Sequence, residues 1–176
     1  MKTFIVLLRG VMPKGENKVP MAQLRDVLSE AGFENVRTYI QSGNALVDTE
    51  LSASEVEGNI HVLIKKHIGA NLPIVARTRK QLKKVIDENP FQKGYDLSRV
   101  FFTLFTKPPS SQRVKELLEN DFSPEELVIT KNAAYMYVPG TYGRMRLSNN
   151  FLENKLGVAA TTRNFNTLSK LIEMSQ

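Results

Sequence analysis

The chain has 176 residues, of which 41% are hydrophobic and 24% charged, and its formal net charge is +6. This composition is typical of a globular protein, and the absence of cysteine excludes disulfides, thiol nucleophiles and cysteine-ligated zinc. No apolar run is long enough to span a membrane, and Arg9 interrupts the first one too early for a signal peptide. We therefore expect a basic cytoplasmic protein without a membrane partner.

The first half of the chain is predicted to contain four strands, at 3–9, 36–41, 45–49 and 72–76. The second and third flank Ser-Gly-Asn, which indicates a hairpin. A helix begins at Pro20, a second begins at a capping box formed by Ser52 and Glu55, and Thr78 caps a third. The order β-α-β-β-α-β is that of a ferredoxin-like unit, followed here by one extra helix.

The second half repeats this order. Its predicted strands lie at 100–105, 126–130, 134–138 and, as a short strand, 157–161. Helices are expected after Ser110, after Ser148 and from near Thr162.

The closing segments of the two halves also match, because 74–87 and 158–173 both run from a strand through Thr-Arg into a helix. We therefore predict an α+β fold made of duplicated ferredoxin-like units, with antiparallel sheets covered by helices. The expected domains are 1–90 and 98–176, each with an extra C-terminal helix.

The loop after the first strand has the glycine spacing of a Walker phosphate loop, at Gly10 and Gly15. Glu16 and Asn17 stand where that motif needs a lysine and a hydroxyl residue, which excludes an NTPase of this type. The loop stays a candidate anion site because it is basic and precedes a helix N-terminus. Its cations are Arg9, Lys14 and Lys18. The simpler interpretation is a solvated connector.

The first hairpin supplies polar groups from Gln41, Ser42 and Asn44 around Gly43. In a ferredoxin-like unit this turn and the end of the first strand lie at the same end of the sheet, so these groups could approach the basic loop. The alternative is ordinary turn chemistry, in which Asn and Gly adopt positive φ.

Two further segments carry more polar groups than their predicted structure needs. In 160–167, Thr161 or Thr162 would cap a helix, and the later polar residues up to Thr167 exceed what capping needs. The candidate ligand-binding residues of this segment are Thr161, Thr162, Arg163, Asn164 and Asn166. In 140–150, Tyr142 could stack on a base while Arg144 and Arg146 meet phosphates, or the segment could be a mobile loop.

Signals for catalysis are few. His61 and His67 are too far apart along one helix to share a metal, and no metal or cofactor is predicted. Ser42 has no base that the sequence reveals, so enzymatic activity stays open.

Three stretches, LLRG…NKVPM, VRTYIQSGN and KLGVAATTRNFNTL, resemble the signatures of a bacterial family catalogued as domain of unknown function 1697. The resemblance implies a duplicated ferredoxin-like fold in a small cytoplasmic protein and no established activity. The residues that it marks are Arg9, Gly10, Asn17, Lys18, Gln41, Ser42, Gly43, Asn44, Thr161, Thr162, Arg163, Asn164, Asn166 and Thr167. The chain departs from the family pattern in its first loop, where Met12, Pro13 and Lys14 replace Asn-Val-Gly, and at Phe165, where tryptophan is common.

The favoured hypothesis is a binding module for an anionic, phosphate-bearing ligand, either a nucleotide or a nucleic acid. Arg9, Lys18 and Arg163 would supply charge, while Gln41, Ser42, Asn44 and Asn164 would supply directional hydrogen bonds. One alternative is an enzyme with a metal-free polar site between the two halves, and another is a protein–protein adaptor. The sequence leaves the oligomeric state open.

Overall fold

The computed structural model describes every residue from Met1 to Gln176. It shows an α+β fold with two four-stranded antiparallel sheets and six α-helices, which confirms the predicted fold class. The chain divides into two compact units, the first formed by Met1–Lys83 with Lys170–Gln176 and the second by Lys84–Ser169. The domain boundaries 1–90 and 98–176 stay a prediction. None of the helices combines the length and apolar character that a membrane crossing requires.

The first unit has the strand order β2-β3-β1-β4, in which every neighbouring pair is antiparallel. Its elements are β1 (Lys2–Leu8), α1 (Met21–Glu30), β2 (Glu34–Thr38), β3 (Asn44–Thr49), α2 (Ala53–His67), β4 (Ile74–Thr78) and the beginning of α3 (Arg79–Asp87). Alternate residues of β1, such as Phe4 and Val6, form one apolar core with residues of both helices, such as Leu24 and Ile60. The other face of β1 is buried as well, which explains why this strand has no polar alternation.

The second unit has the equivalent order β6-β7-β5-β8. After a short 3₁₀ turn at Leu97–Arg99, its elements are β5 (Val100–Phe105), α4 (Ser111–Leu118), β6 (Glu126–Ile129), β7 (Ala134–Tyr137), α5 (Asn149–Leu156), β8 (Ala160–Asn164) and the beginning of α6 (Phe165–Met174). Met136, Leu152 and Leu156 lie in its core between sheet and helices.

The register of the two sheets is the same. Ile5 of β1 lies opposite Arg77 of β4, and Phe102 of β5 lies opposite Arg163 of β8. Counting outward from these pairs also aligns the ends of β2 and β6 and the turn bonds that follow them, whereas the start of β2 is shifted by an irregularity between Glu34 and Arg37 that β6 lacks. Equivalent positions in the two halves can therefore be compared directly, without sequence identity.

The end of the second repeat differs from the prediction. The strand predicted at 157–161 lies later in the chain, because Thr161 and Thr162 pair with β5 instead of capping a helix. The helix cap is Asn164, whose Oδ1 accepts a hydrogen bond from the N–H of Thr167 at 2.9 Å. The assignment of the cap to Thr161 or Thr162 was therefore wrong.

Two of the four edge strands, β4 and β8, are protected in the same way. Glu57 of α2 accepts a hydrogen bond from the N–H of Ala76 at 2.9 Å, and Glu153 of α5 accepts one from the N–H of Ala160 at 2.9 Å. In each unit, a helix carboxylate thus satisfies a backbone donor that an edge strand would otherwise leave open.

Candidate functional site

The loop after β1 and the turn between β2 and β3 lie side by side in the first unit. We call residues 9–20 and 39–43 together the loop–turn surface. The N–H of Leu8 donates to the carbonyl of Gly43 at 2.9 Å, and the Gln41 side-chain amide donates to the carbonyl of Val19 at 2.7 Å. The polar turn and the basic loop thus form one continuous surface at the end of β1.

The turn has an unusual backbone. Strand β2 ends at Thr38 instead of extending to residue 41, because Ile40 has φ 50° and leaves the strand conformation. A β-branched residue rarely adopts this left-handed region, and Ile40 is also 49% exposed. Gly43 has φ 95° and lies against Val11 so closely that no side chain fits there.

Asn44 is directed inward. It is fully buried, and its side-chain amide donates to the carbonyl of Tyr39 and to the hydroxyl oxygen of Ser42, both at 3.0 Å. These bonds close the turn. Ser42 itself is exposed and, since its oxygen accepts from Asn44, its own proton is available for another acceptor.

The basic loop is folded on itself. The N–H of Met12 donates to the carbonyl of Asn17 at 2.9 Å, and the N–H of Lys18 donates to the carbonyl of Gly15 at 3.2 Å. The side chains of Lys14 and Lys18 are exposed, whereas Arg9 is half-buried. The loop therefore presents ammonium groups on a defined backbone.

This loop leads into a helix N-terminus that no side chain caps. Pro20 is the N-cap of α1, it has no side-chain capping bond, and the first turn contains no acidic residue. Each of the other five helices has a capping side chain at its start, from Ser52, Thr78, Ser110, Ser148 or Asn164. The backbone donors of the first turn of α1 therefore have no side-chain partner, and the helix dipole makes this end electropositive.

In the second unit, the predicted polar residues of β8 belong to an internal network. Thr162 donates its hydroxyl proton to the Asn149 side chain at 2.8 Å and accepts one from Thr103 at 2.8 Å. Arg163 donates to the hydroxyl of Thr161 and to the carbonyl of Thr162. Burial lowers the pKa of the Arg163 guanidinium, because a charged group is poorly solvated there.

The residues of 140–150 are also engaged within the second unit. The Tyr142 ring stacks on Phe101 with 4.3 Å between ring centroids, and its oxygen accepts a hydrogen bond from the N–H of Asn149 at 2.9 Å. The Arg146 guanidinium lies 4.6 Å from the centroid of the Phe122 ring. Arg144 is exposed. Contact of these residues with a base or a phosphate stays a prediction.

Asn149 was not singled out from the sequence, although it joins these two segments. Its backbone bonds Tyr142, and its side chain bonds Thr162 and also the carbonyl of Ala160, the latter at 3.0 Å. Ser148-Asn149-Asn150 signals a helix cap in the sequence, which conceals this second role.

No group of three or more histidine, aspartate or glutamate side chains is placed to hold a metal ion. His61 contacts the carbonyl of Leu72 through Nδ1 at 2.8 Å.

Comparison with known proteins places the chain in a family. A family model described as "Protein of unknown function (DUF1697)" matches residues 1–135. The chain belongs to this family. The DUF1697 chain is also similar in structure to a conserved bacterial protein from Streptococcus pneumoniae, with a TM-score of 0.78 and 23% identity over 99% of this chain and 98% of that one. At this identity the likeness shows the fold alone, and no curated protein matches the DUF1697 chain.

Proposed function

We propose that this protein binds an anionic, phosphate-bearing ligand, a nucleotide or a nucleic acid, on the loop–turn surface. The observation that carries the proposal is the uncapped N-terminus of α1 directly after an exposed basic loop. Backbone N–H groups at such a helix end, together with its dipole, form an anion-binding site.

The charge of the loop favours the same ligand. Lys14 and Lys18 are exposed and form no ion pair within the protein, and Glu16 is the one acid between them. A phosphate beside two ammonium groups and a helix N-terminus gains charge-assisted hydrogen bonds. The surplus of positive charge also attracts a polyanion from a distance.

Two side chains of the turn would give direction to this binding. Gln41 uses its amide N–H to hold the carbonyl of Val19, which leaves its Oε1 as an acceptor. Ser42 has a hydroxyl proton to donate. An acceptor and a donor beside a cationic loop suit a nucleotide, which carries polar base and sugar groups next to its phosphate.

The test is a titration of the full chain with ATP and with a fluorescent single-stranded oligonucleotide at several salt concentrations. The site variant is Lys14→Met with Lys18→Met, which removes two charges but keeps the apolar part of each side chain. The control variant is Lys65→Met with Lys66→Met, which removes two exposed charges from the last turn of α2.

For the oligonucleotide, the slope of log K against log salt should decrease by roughly 1.4 in the site variant, because two phosphate contacts are lost at about 0.7 each. The control variant should keep the wild-type slope. Binding of ATP alone would identify a nucleotide as the ligand. An equal loss of binding in both variants, or no binding of either ligand at low salt, refutes the proposal. The enzyme and adaptor alternatives stay predictions.

A further inference from the structure

The second unit contains a cavity of about 670 Å³ between the loop after β5, helix α4 and the end of β6. Its apolar lining includes Val114, Leu118 and Ile129, together with two prolines of the loop. Leu118 is 43% exposed, which is unusual for a leucine on the inner side of a groove. The volume lies within the range of about 300 to 1,000 Å³ that is typical of small-molecule sites.

In the first unit, a side-chain bridge crosses the equivalent place. Thr38 pairs with Ala45 as Ile129 pairs with Ala134, so Thr38 and Ile129 occupy equivalent positions. In the first unit, a side chain of α1, Arg25, crosses to Thr38 and hydrogen-bonds its hydroxyl. No such bridge is available in the second unit, where the strand residue is apolar.

The lengths of the connecting loops add to this difference. Residues 9–20 connect β1 to α1, whereas the shorter segment 106–110 connects β5 to α4. The longer loop packs Val11 onto the core of the first unit beside Gly43. In the second unit the shorter loop instead lines the cavity, through Pro108 and Pro109.

The charged groups of the cavity are two lysines and one acid. Lys115 of α4 and Lys131 of the turn after β6 line it, as does Glu119. Neither lysine forms an ion pair within the protein, although Glu119 lies one helical turn from Lys115. The hydroxyl of Ser111, which also lines the cavity, forms no hydrogen bond within the protein. The lining thus combines an apolar wall with a net charge of +1.

We propose that this cavity binds a small amphipathic carboxylate. The apolar chain of the ligand lies against Val114, Leu118 and Ile129, and its carboxylate lies between the ammonium groups of Lys115 and Lys131. A ligand with a single negative charge matches the net charge of the lining, whereas the same lining repels a cationic amphiphile. The proposal involves none of the residues of the loop–turn surface, so it does not depend on the function proposed there.

The experiment uses three probes on the full chain, namely octanoate, 1-octanol and acetate, with isothermal titration calorimetry and amide chemical shifts. Octanol keeps the apolar chain without the charge, and acetate keeps the charge without the chain. We expect octanoate to bind at least about tenfold more tightly than either, since each analogue loses one of two contributions of about 1.4 kcal/mol or more. The shifts should centre on α4 and the turn after β6.

Two variants test the two parts of the site. Lys115→Met with Lys131→Met should remove the preference for octanoate over octanol. Leu118→Gln should weaken the binding of octanoate and of octanol by about threefold or more. Val62→Gln, at an apolar residue of α2 that is 59% exposed, should change neither affinity. All these side chains are exposed, so the fold should tolerate the changes, and circular dichroism checks this.

Several results would overturn the proposal. The wild type could bind octanol and octanoate with equal affinity, or it could fail to bind octanoate at millimolar concentration. Val62→Gln could also reduce the affinity for octanoate as much as Leu118→Gln does. If the double lysine variant proves unstable, Lys131→Met alone, at the exposed turn, should still weaken octanoate about threefold without affecting octanol.

Discussion

Replacement of Gly43 by alanine tests how closely the loop and the turn are packed. Gly43 has φ 95°, and an added Cβ would lie 2.6 Å from Cγ2 of Val11 and 2.9 Å from Cβ of Leu8. Gly69, which follows α2, provides a matched control, because it has φ 94° and its added Cβ would meet nothing within 4 Å.

Both substitutions place an alanine in a left-handed backbone conformation, but only at Gly43 does the added Cβ come too close to neighbouring atoms. A left-handed alanine costs about 1–2 kcal/mol, and the lower entropy of the unfolded chain returns about 0.4–1 kcal/mol. Overpacking adds about 1–3 kcal/mol at Gly43 alone. We therefore expect the free energy of unfolding to fall by about 1 kcal/mol for Gly69→Ala and by about 2–4 kcal/mol for Gly43→Ala.

Urea denaturation followed by circular dichroism measures both losses on the same scale. In a Val11→Ala background the loss at Gly43 should shrink but not vanish, because the contact with Leu8 Cβ remains. If Gly43→Ala costs no more than Gly69→Ala, the close packing of the turn against the end of β1 is refuted.

Three other predictions concern the hydrogen bond of Tyr135, the titration of the same side chain, and the capping box of α2. Tyr135→Phe removes the hydroxyl that donates to the carbonyl of Val85 at 2.7 Å, and it should cost about 1–3 kcal/mol in urea denaturation because that buried carbonyl loses its partner. Burial raises the pKa of Tyr135 from 10.0 to about 12, so the folded state keeps a proton that the unfolded state has released. Wild-type melting temperature should therefore fall more steeply than that of Tyr135→Phe as pH rises from 10.0 to about 12, and parallel curves would contradict this. Ser52→Ala removes the capping box of α2 and should lower the free energy of unfolding by about 1 kcal/mol, whereas Ser54→Ala, on the exposed side of the same helix, should change it by less than about 0.5 kcal/mol.

The sequence reveals the fold well where the signal is local. Ser52 and Glu55 cap α2 through each other, as their spacing predicts, and Ser110 and Ser148 cap α4 and α5. Thr78 caps α3 as predicted. Such bonds join residues three apart in the chain, so the pattern and the structure involve the same neighbours.

The sequence is less informative where pairing between strands that are distant in the chain decides the secondary structure. Thr161 and Thr162 are common helix caps, but they are also good strand residues, and pairing with β5 places them in β8. The cap moves to Asn164 for this reason. Nothing within the local segment distinguishes the two arrangements, because the deciding hydrogen bonds come from residues about sixty positions away.

The candidate sites show a similar limit. Polar residue types could be identified, but not the direction in which their side chains point. Asn44 is buried and closes its own turn, and Arg146 lies over the Phe122 ring. The cavity beside α4 could not be predicted from the sequence. In the first half the side chain of Arg25 crosses from α1 to the hydroxyl of Thr38, and the apolar residue at the equivalent position of the second half cannot accept such a bond.

The glutamates on the edge strands also have a consequence for the protein at high concentration. A strand from another molecule could extend either sheet at β4 or β8 only by displacing Glu57 from Ala76 or Glu153 from Ala160. The displaced carboxylate would lose its hydrogen bond to the edge strand before the incoming strand gained one there. Conversion of both glutamates to alanine should therefore promote fibrous aggregation, through edges that the native chain keeps occupied.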